Sequence, residues 1–86
     1  MLYRIRIKKS AEKALLRLSY RDRVAIDKKL QLLAADLERD DLDIKKLKGE
    51  QLYRLRQGDY RIIYQKQRSQ LVILVVKIAH RKEAYR

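Results

Sequence analysis

Residues 53–64, YRLRQGDYRIIY, form the stretch that decides the fold. Two runs in which polar and apolar residues alternate flank residues 57–59, Gln-Gly-Asp, and a glycine-containing connection of this length predicts a β-hairpin. Because strand side chains alternate between faces, Arg54, Arg56 and Arg61 are predicted to lie on one face of the sheet. Three neighbouring guanidinium groups repel one another, so the pattern indicates a polyanionic partner, with phosphate as the first candidate.

The charge of the whole chain supports an acidic partner. The formal net charge is +12 and the isoelectric point is near 10.2. Residues 45–86 carry 12 lysines and arginines against three acidic residues, whereas residues 1–44 carry 11 against eight. This asymmetry favours nucleic acid, or an acidic protein that imitates it, over a surface charged only for solubility.

Length and composition exclude several classes of protein. The 86 residues predict a single domain, 1–86, with a modest core. The absence of cysteine excludes disulfides and thiolate chemistry, and a single histidine argues against a zinc site, so we expect neither a metal nor a cofactor. The longest apolar run, 71–76, is too short to span a membrane and the first residues do not resemble a secretory signal, so we expect a soluble, cytoplasmic protein without membrane contacts.

The N-terminal half predicts one strand and two helices. Residues 2–8 alternate in the manner of a strand with one buried face. Ser10 is the predicted N-cap of a short helix that continues to about Leu18, and Ser19, followed by a carboxylate three residues later, predicts a longer helix over 20–37. The connection between the helices is short, so they are expected to form a hairpin that covers a sheet.

The C-terminal half predicts three more strands. Residues 44–49, IKKLKG, are interpreted as a connection that leads to the hairpin. Residues 71–78, LVILVVKI, have the apolar, β-branched composition of a strand buried on both faces. The predicted fold is α+β, an antiparallel-rich four-stranded sheet in the order β-α-α-β-β-β with a two-helix hairpin packed on one face. Tyr53, Tyr60 and Tyr64 are assigned to packing within it.

Several stretches together carry a family resemblance. The run LYRLRQGDYRIIY (52–64), the preceding KLKG (46–49), the apolar strand and the terminal HRKEAYR (80–86) resemble the RelE family, within the RelE/ParE superfamily of toxins from toxin–antitoxin systems. The resemblance covers essentially the full chain. It implies a ribosome-dependent ribonuclease that cuts mRNA in the ribosomal A site, with mRNA, the ribosome and its RNA, and a cognate antitoxin protein as partners.

The resemblance also implies roles for particular residues. Arg61, in GDYR, matches the phosphate-binding arginine of the family, Arg81 its C-terminal catalytic arginine, and Tyr85 its near-terminal tyrosine. Arg54 falls where the family often has a basic residue on the strand before the turn. Leu52 departs from the pattern, because the best-studied sites of this family have a lysine there.

The chemistry can also be derived from the residue types. RNA carries its own nucleophile, the 2′-hydroxyl, so a nuclease without a metal must align this oxygen, stabilise negative charge on the phosphate and move protons. Arginine stabilises charge well but is a poor base. Proton removal is therefore assigned to Tyr85, which the resemblance favours, or to His80, whose imidazole changes charge near neutral pH. The predicted RNA and phosphate contacts are Arg56, Lys45, Lys46 and Lys48.

Two other functions are consistent with the sequence. A ParE-like inhibitor of DNA gyrase shares the predicted fold and has hairpins similar to GDYR without a nuclease site. A basic RNA-binding module without catalytic activity would also account for the positive charge. Cleavage of translated mRNA distinguishes the first hypothesis from both alternatives.

Overall fold

The hairpin predicted around residues 53–64 lies within the sheet of the structure, a computed structural model that describes residues 2–48 and 51–84. The helices and strands of these residues are, in chain order, β1 (Arg4–Ile7), α1 (Lys9–Leu16), α2 (Tyr20–Ala35), β2 (Ile44–Lys46), β3 (Leu52–Gln57), β4 (Tyr60–Gln67), β5 (Val72–His80) and α3 (Arg81–Ala84). A 3₁₀ turn, Arg68–Gln70, joins β4 to β5.

The strands of the described chain form one sheet in the order β1-β5-β4-β3-β2. Strand β1 runs parallel to β5, and every other neighbouring pair is antiparallel. The α+β class and the β3-β4-β5 meander are confirmed, but the predicted count of four strands is wrong. Residues 44–46, interpreted as part of a connection, form the edge strand β2 against β3, with Ile44 opposite Leu55. Three residues are too few for alternation to reveal a strand in the sequence.

The predicted start of the longer helix is confirmed. The main-chain N–H of Asp22 donates to Ser19 Oγ at 3.2 Å, which satisfies one of the amide groups left free at the beginning of α2. The helix ends at Ala35, two residues before its predicted end, because Asp36 adopts an extended conformation with φ −154° and ψ 100°.

The first helix begins earlier than predicted. Lys8, not Ser10, occupies the N-cap position of α1, and its side chain makes no capping hydrogen bond. The main-chain N–H of Lys8 donates to Val75 O at 2.8 Å, while its own carbonyl accepts from Glu12 N at 2.9 Å. Lys8 therefore makes the last hydrogen bond to the sheet and the first hydrogen bond of the helix, and Ser10 lies inside the helix.

Both helices pack on the same face of the sheet, as predicted. The buried cluster between them contains Ala11 of α1, three residues of α2 and side chains of β3, β4 and β5; the residues of α2 are Ile26, Leu30 and Leu33. Tyr64 is fully buried in this cluster and stacks on Tyr53 with ring centroids 5.6 Å apart, which confirms a packing role for these tyrosines. No helix in the described residues is long and apolar enough to cross a membrane.

An irregularity in the central strands explains the continuous apolar run of β5. Lys77 is opposite Ile63, but Val75 is opposite Tyr64, so β5 has one more residue than β4 at this point. The bulge reverses the alternation of β5, and as a result both Val75 and Ile78 contribute to the core on the helical side. A strict alternation along β5 would have directed one of them to the other face.

Candidate nucleic-acid interface

The hairpin brings two arginines into direct opposition. Strands β3 and β4 turn at Gly58, whose φ of +58° is in the left-handed region that glycine adopts most readily. Arg56 pairs with Arg61, and Arg54 pairs with Ile63. Residues opposite each other in an antiparallel ladder share a face, so the three arginines lie together on the face away from the helices, as predicted. We call this surface the open face.

Arg61 is the most enclosed cation of this group. Only 8% of its surface is exposed, although it lies on the open face, and it is buried among neighbours on both adjacent strands. Its neighbour on β5 is the buried Ala79, and its neighbour on β3 is the exposed Arg56. A guanidinium held this far from water interacts more strongly with an anion than an exposed one does.

The hairpin turn also holds the start of the C-terminal segment. Arg81 N donates to Asp59 O at 2.6 Å, and Arg81 Nε lies 3.7 Å from Asp59 Oδ1. On the other side of the turn, Arg56 Nε donates to Gly58 O at 3.3 Å. The turn therefore positions two arginine side chains, from β3 and from the beginning of α3. Asp59 was not predicted from the sequence, where its place after Gly58 indicates only a turn.

Arg54 is held by an acidic partner from the connection before β2. Its terminal nitrogen Nη2 donates to Asp43 Oδ1 at 2.8 Å, and 20% of the Arg54 side chain is exposed. Lys45 pairs with Arg54 and therefore shares the open face. Asp43 could not be assigned from the sequence, because its position beside Arg54 depends on strand β2.

The other predicted residues of the site are Lys46, Lys48 and Tyr85. Lys46 pairs with Tyr53 and therefore lies on the helical side of the sheet, away from the arginines. Lys48 is exposed at the end of the first described segment, and Tyr85 lies outside the described residues. In the part of the chain that is described, no group of three or more His, Asp or Glu side chains is arranged to hold a metal ion.

His80 lies on the opposite face from Arg61. It pairs with Tyr60, and the two rings meet edge to face with centroids 5.4 Å apart on the helical side. Its Nδ1 accepts a hydrogen bond of 3.3 Å from Lys82 N in the first turn of α3. A cavity of about 400 Å³ beside it is lined by residues of α2 and the hairpin turn, among them Arg21 and Asp59. The structure therefore does not place His80 on the same face as the arginines of the predicted site, Arg54, Arg56 and Arg61.

The fold of this chain is similar to that of known toxins. Residues 5–85 match the family model for the ParE toxin of type II toxin–antitoxin systems, parDE. The chain is 34% identical to the toxin in an archaeal RelE–RelB complex from Pyrococcus horikoshii OT3, with a TM-score of 0.81 over 94% of this chain and 97% of that one. A comparison with curated proteins gives no match.

Two further complexes have similar folds. The RelB–RelE antitoxin–toxin complex from Methanococcus jannaschii is matched at 29% identity and a TM-score of 0.76, over 93% of this chain and 94% of that one. The intact E. coli RelBE complex is matched at 25% identity and a TM-score of 0.75, over 91% and 95%. The chain belongs to the RelE/ParE superfamily of toxins from type II toxin–antitoxin systems.

Proposed function

We propose that this toxin is an endoribonuclease that cleaves mRNA in the ribosomal A site and so inhibits translation. The observation that carries the proposal is the opposition of Arg56 and Arg61 on the open face, next to a turn that holds Arg81. Two guanidinium groups on the same face of adjacent strands can donate to one anion between them, which supports the binding of a phosphate here. The phosphodiester of RNA is an anion of suitable size and charge.

In this mechanism the arginines stabilise charge on the scissile phosphate. Attack by the 2′-hydroxyl forms a new bond to phosphorus and breaks the bond to the leaving 5′-oxygen, passing through a state with additional negative charge on the phosphate oxygens. Arg61, nearly enclosed, would hold one of these oxygens with a fixed geometry. Arg81, more exposed and close to the end of the sheet, would neutralise the same group from the side of the turn.

Proton removal from the 2′-hydroxyl is assigned to Tyr85. Of the two bases considered, His80 lies on the helical side of the sheet against Tyr60, whereas the proposed phosphate site is on the open face. Cations near a phenol favour its phenolate form, so binding of Tyr85 near the arginines in the complex with RNA would make it a better base. If this base is weak, the ribosome supplies part of the catalysis by holding the mRNA in line for attack.

The proposed partners are mRNA, ribosomal RNA and a cognate antitoxin. Lys45 shares the open face with the arginines, Lys48 is exposed two residues beyond β2, and both would contact phosphates of either RNA. The similar structures from P. horikoshii and M. jannaschii are complexes with RelB, which supports an antitoxin for this chain as well. An acidic antitoxin segment that covers the open face would block the site.

Primer extension on mRNA in a reconstituted translation reaction tests the proposal. The wild type is compared with Arg61→Ala and Tyr85→Phe, each with and without ribosomes, and with Lys28→Gln as an exposed charge control on α2. We expect cuts within A-site codons only with ribosomes, lost in Arg61→Ala, slowed in Tyr85→Phe and unchanged in Lys28→Gln. RNA binding without cleavage would contradict the proposal and favour a non-catalytic module.

Inhibition of DNA gyrase is the second candidate function. It is favoured by the match of residues 5–85 to the family model for ParE toxins. A gyrase inhibitor would leave mRNA intact and reduce the supercoiling of plasmid DNA in a purified gyrase reaction. The two assays therefore distinguish the candidates with the same protein preparation.

A further inference from the structure

The sheet differs from the helices in the sign of its charges. In the described chain, the five strands contain nine lysines and arginines and no aspartate or glutamate. Helix α2 instead mixes both signs, with Asp22 and Asp27 among its basic residues. Seven of the nine cations lie on the open face, whereas Lys46 and Lys66 lie on the helical side. Surfaces charged only for solubility normally carry both signs, so a face whose strand charges are all positive indicates an anion-binding surface. The arginines around the hairpin turn account for only part of this surface.

Strand β1 extends the positive charge to the far edge of the sheet. Arg4 pairs with Val72 and Arg6 with Leu74, while the intervening Ile5 pairs with the fully buried Ile73. Because Ile5 packs in the core on the helical side, the alternation of the strand directs both arginines to the open face. Both are exposed, and neither is part of the cluster around the hairpin turn.

Lys77 connects the two groups of cations. It lies on β5 opposite Ile63, which in turn is opposite Arg54, so the three side chains share the open face in a single row across the strands. Lys77 is exposed. Positive charge therefore continues from the hairpin turn through the middle of the sheet to β1. Five strands about 4.8 Å apart span roughly 19 Å between the two edges, enough for a few nucleotides of an extended strand.

The chemistry of this surface suits a phosphate backbone better than a peptide or a stack of bases. The tyrosines of the strands lie on the helical side, as Tyr53 and Tyr64 show, so the open face offers no aromatic platform within the described residues. The apolar side chains of the open face are buried or half-buried: Val72 and Ala79 are each 4% exposed, and Leu52, Ile63 and Leu74 are half-buried. The exposed side chains that the strands place on this face are all cations, namely Arg4, Arg6, Lys45, Arg56 and Lys77. Arginines, by contrast, bind phosphate through several fixed donors.

We propose that Arg4, Arg6 and Lys77 form a second phosphate-binding stretch, the β1 track, which holds single-stranded RNA alongside the cleavage site. The inference rests on the proposed function, because it identifies where the RNA substrate continues beyond the scissile phosphate. The β1 track binds through phosphates and therefore adds affinity without sequence preference. It also makes binding more dependent on salt.

Fluorescence anisotropy with a labelled, 2′-O-methylated single-stranded RNA tests the β1 track. This probe lacks the nucleophilic hydroxyl, so binding is measured in the absence of cleavage. In the triple variant Arg4→Gln/Arg6→Gln/Lys77→Gln we expect affinity at low salt to fall about tenfold or more, and the slope of log affinity against log salt to decrease by about two, since each phosphate contact of a single strand contributes about 0.7. The wild-type protein serves as the reference.

A charge-matched triple variant on the helices is the control. Arg17→Gln/Arg21→Gln/Lys28→Gln removes two arginines and one lysine from exposed positions of the helical layer and should leave the salt slope unchanged. Equal losses in both triple variants would overturn the inference. The inference would also be overturned if Arg4→Gln/Arg6→Gln/Lys77→Gln bound RNA as the wild type does but bound poly-glutamate more weakly. The surface would then bind an acidic protein instead of RNA. If the β1 track variant binds RNA more weakly but the wild type does not cleave mRNA on ribosomes, the result supports the β1 track and contradicts the proposed endoribonuclease activity.

Discussion

Arg56 and Arg61 lie directly opposite each other across the β3–β4 ladder, each on the open face of the sheet. Arg61 is almost enclosed, while Arg56 is exposed and its side chain donates to the carbonyl of Gly58. The pair places two positive charges at the closest side-chain spacing that an antiparallel sheet provides. We therefore expect the two charges to repel each other in the free protein.

Neutralising the exposed member of this pair should stabilise the fold while weakening its function. We expect Arg56→Gln to raise the free energy of unfolding by about 0.5 kcal/mol, the usual cost of like charges opposite each other in a sheet. The gain should shrink at high salt, which screens the repulsion in the wild type. Urea unfolding at low and high salt measures both effects, and the same variant should cleave mRNA more slowly.

Arg54→Gln is the matched control on the same strand and face. Arg54 is opposite Ile63 on β4 and opposite Lys45 on β2, but unlike Arg56 its guanidinium donates to a carboxylate, that of Asp43. Its neutralisation should therefore lower stability. If both variants lose stability to the same extent, the opposition of Arg56 and Arg61 is not a source of strain in the free protein.

Removing the carboxylate of Asp59 should strengthen RNA binding with little effect on the fold. The Asp59 and Arg81 side chains are both more than half exposed, so Asp59→Asn is expected to change stability by less than about 0.5 kcal/mol. The main-chain bond from Arg81 N to Asp59 O remains. Affinity for the 2′-O-methylated RNA should increase about threefold at low salt, because a competing anion beside Arg81 is lost.

Asp27→Asn provides the comparison for this effect, since it removes one exposed negative charge from α2. A gain of similar size in Asp27→Asn would attribute the result to net charge alone. A loss of affinity in Asp59→Asn would show instead that the carboxylate orients Arg81 for binding.

His80→Asn should distinguish a structural histidine from a catalytic one. The amide oxygen of asparagine can accept the hydrogen bond from Lys82 N that Nδ1 of His80 accepts now. We expect cleavage to remain within a few-fold of wild type, with the same pH–rate profile between about pH 6 and 8. Loss of a general base would reduce cleavage about a hundredfold or more. Such a loss in His80→Asn would restore His80 as the base in place of Tyr85.

Tyr64→Phe should stabilise the protein. The Tyr64 side chain is fully buried, and its hydroxyl has no hydrogen-bond partner among the described residues. Because an unpaired buried hydroxyl loses its bonds to water on folding, removing it should raise the free energy of unfolding by about 1 kcal/mol. Thermal unfolding would show this as an increase in Tm of roughly 4–8 °C for a domain of this size. Tyr53→Phe, at a half-buried position, should change Tm less.

The same substitution should reduce sensitivity to alkali. Burial, followed by the electrostatic influence of Tyr53, raises the pKa of Tyr64 far above its usual value. The unfolded phenol ionises at about pH 10, so the stability that depends on the neutral form is complete below this pH and is lost as the pH rises above it. Unfolding curves of Tyr64→Phe should therefore depend less steeply on pH in this range. If Tyr64→Phe has the same pH dependence of unfolding as the wild type, ionisation of Tyr64 is not the cause of the loss of stability in alkali.

The elements that depend on local sequence were predictable. Ser19 and the residue three positions later define the start of α2, and Gly58 between alternating runs defines the hairpin, so both could be identified without tertiary information. The shared face of Arg54, Arg56 and Arg61 follows from the same alternation. These are consequences of a few neighbouring residues, and they contain most of the candidate site.

The features that depend on distant pairing were not predictable. Strand β2 exists because β3 offers it a partner, and the contact of Asp43 with Arg54 depends on that pairing. The face of His80 depends on the register of β5 against β4, in which Ala79 and not His80 lies beside Arg61. The sequence shows which residues alternate, but the register decides which of them meet.

The parallel pairing of β1 with β5 has a consequence for how the protein folds during its synthesis. Arg4 pairs with Val72, so the first strand has no partner until nearly the whole described chain has been synthesised. Strand β5 lies between β1 and β4 in the sheet and is the last of the five strands to be translated. Contacts between such distant positions form slowly and cannot form on a growing chain before the second partner exists. A toxin built in this way cannot join β1 and its arginines to the rest of the sheet until β5 has left the ribosome that translates it.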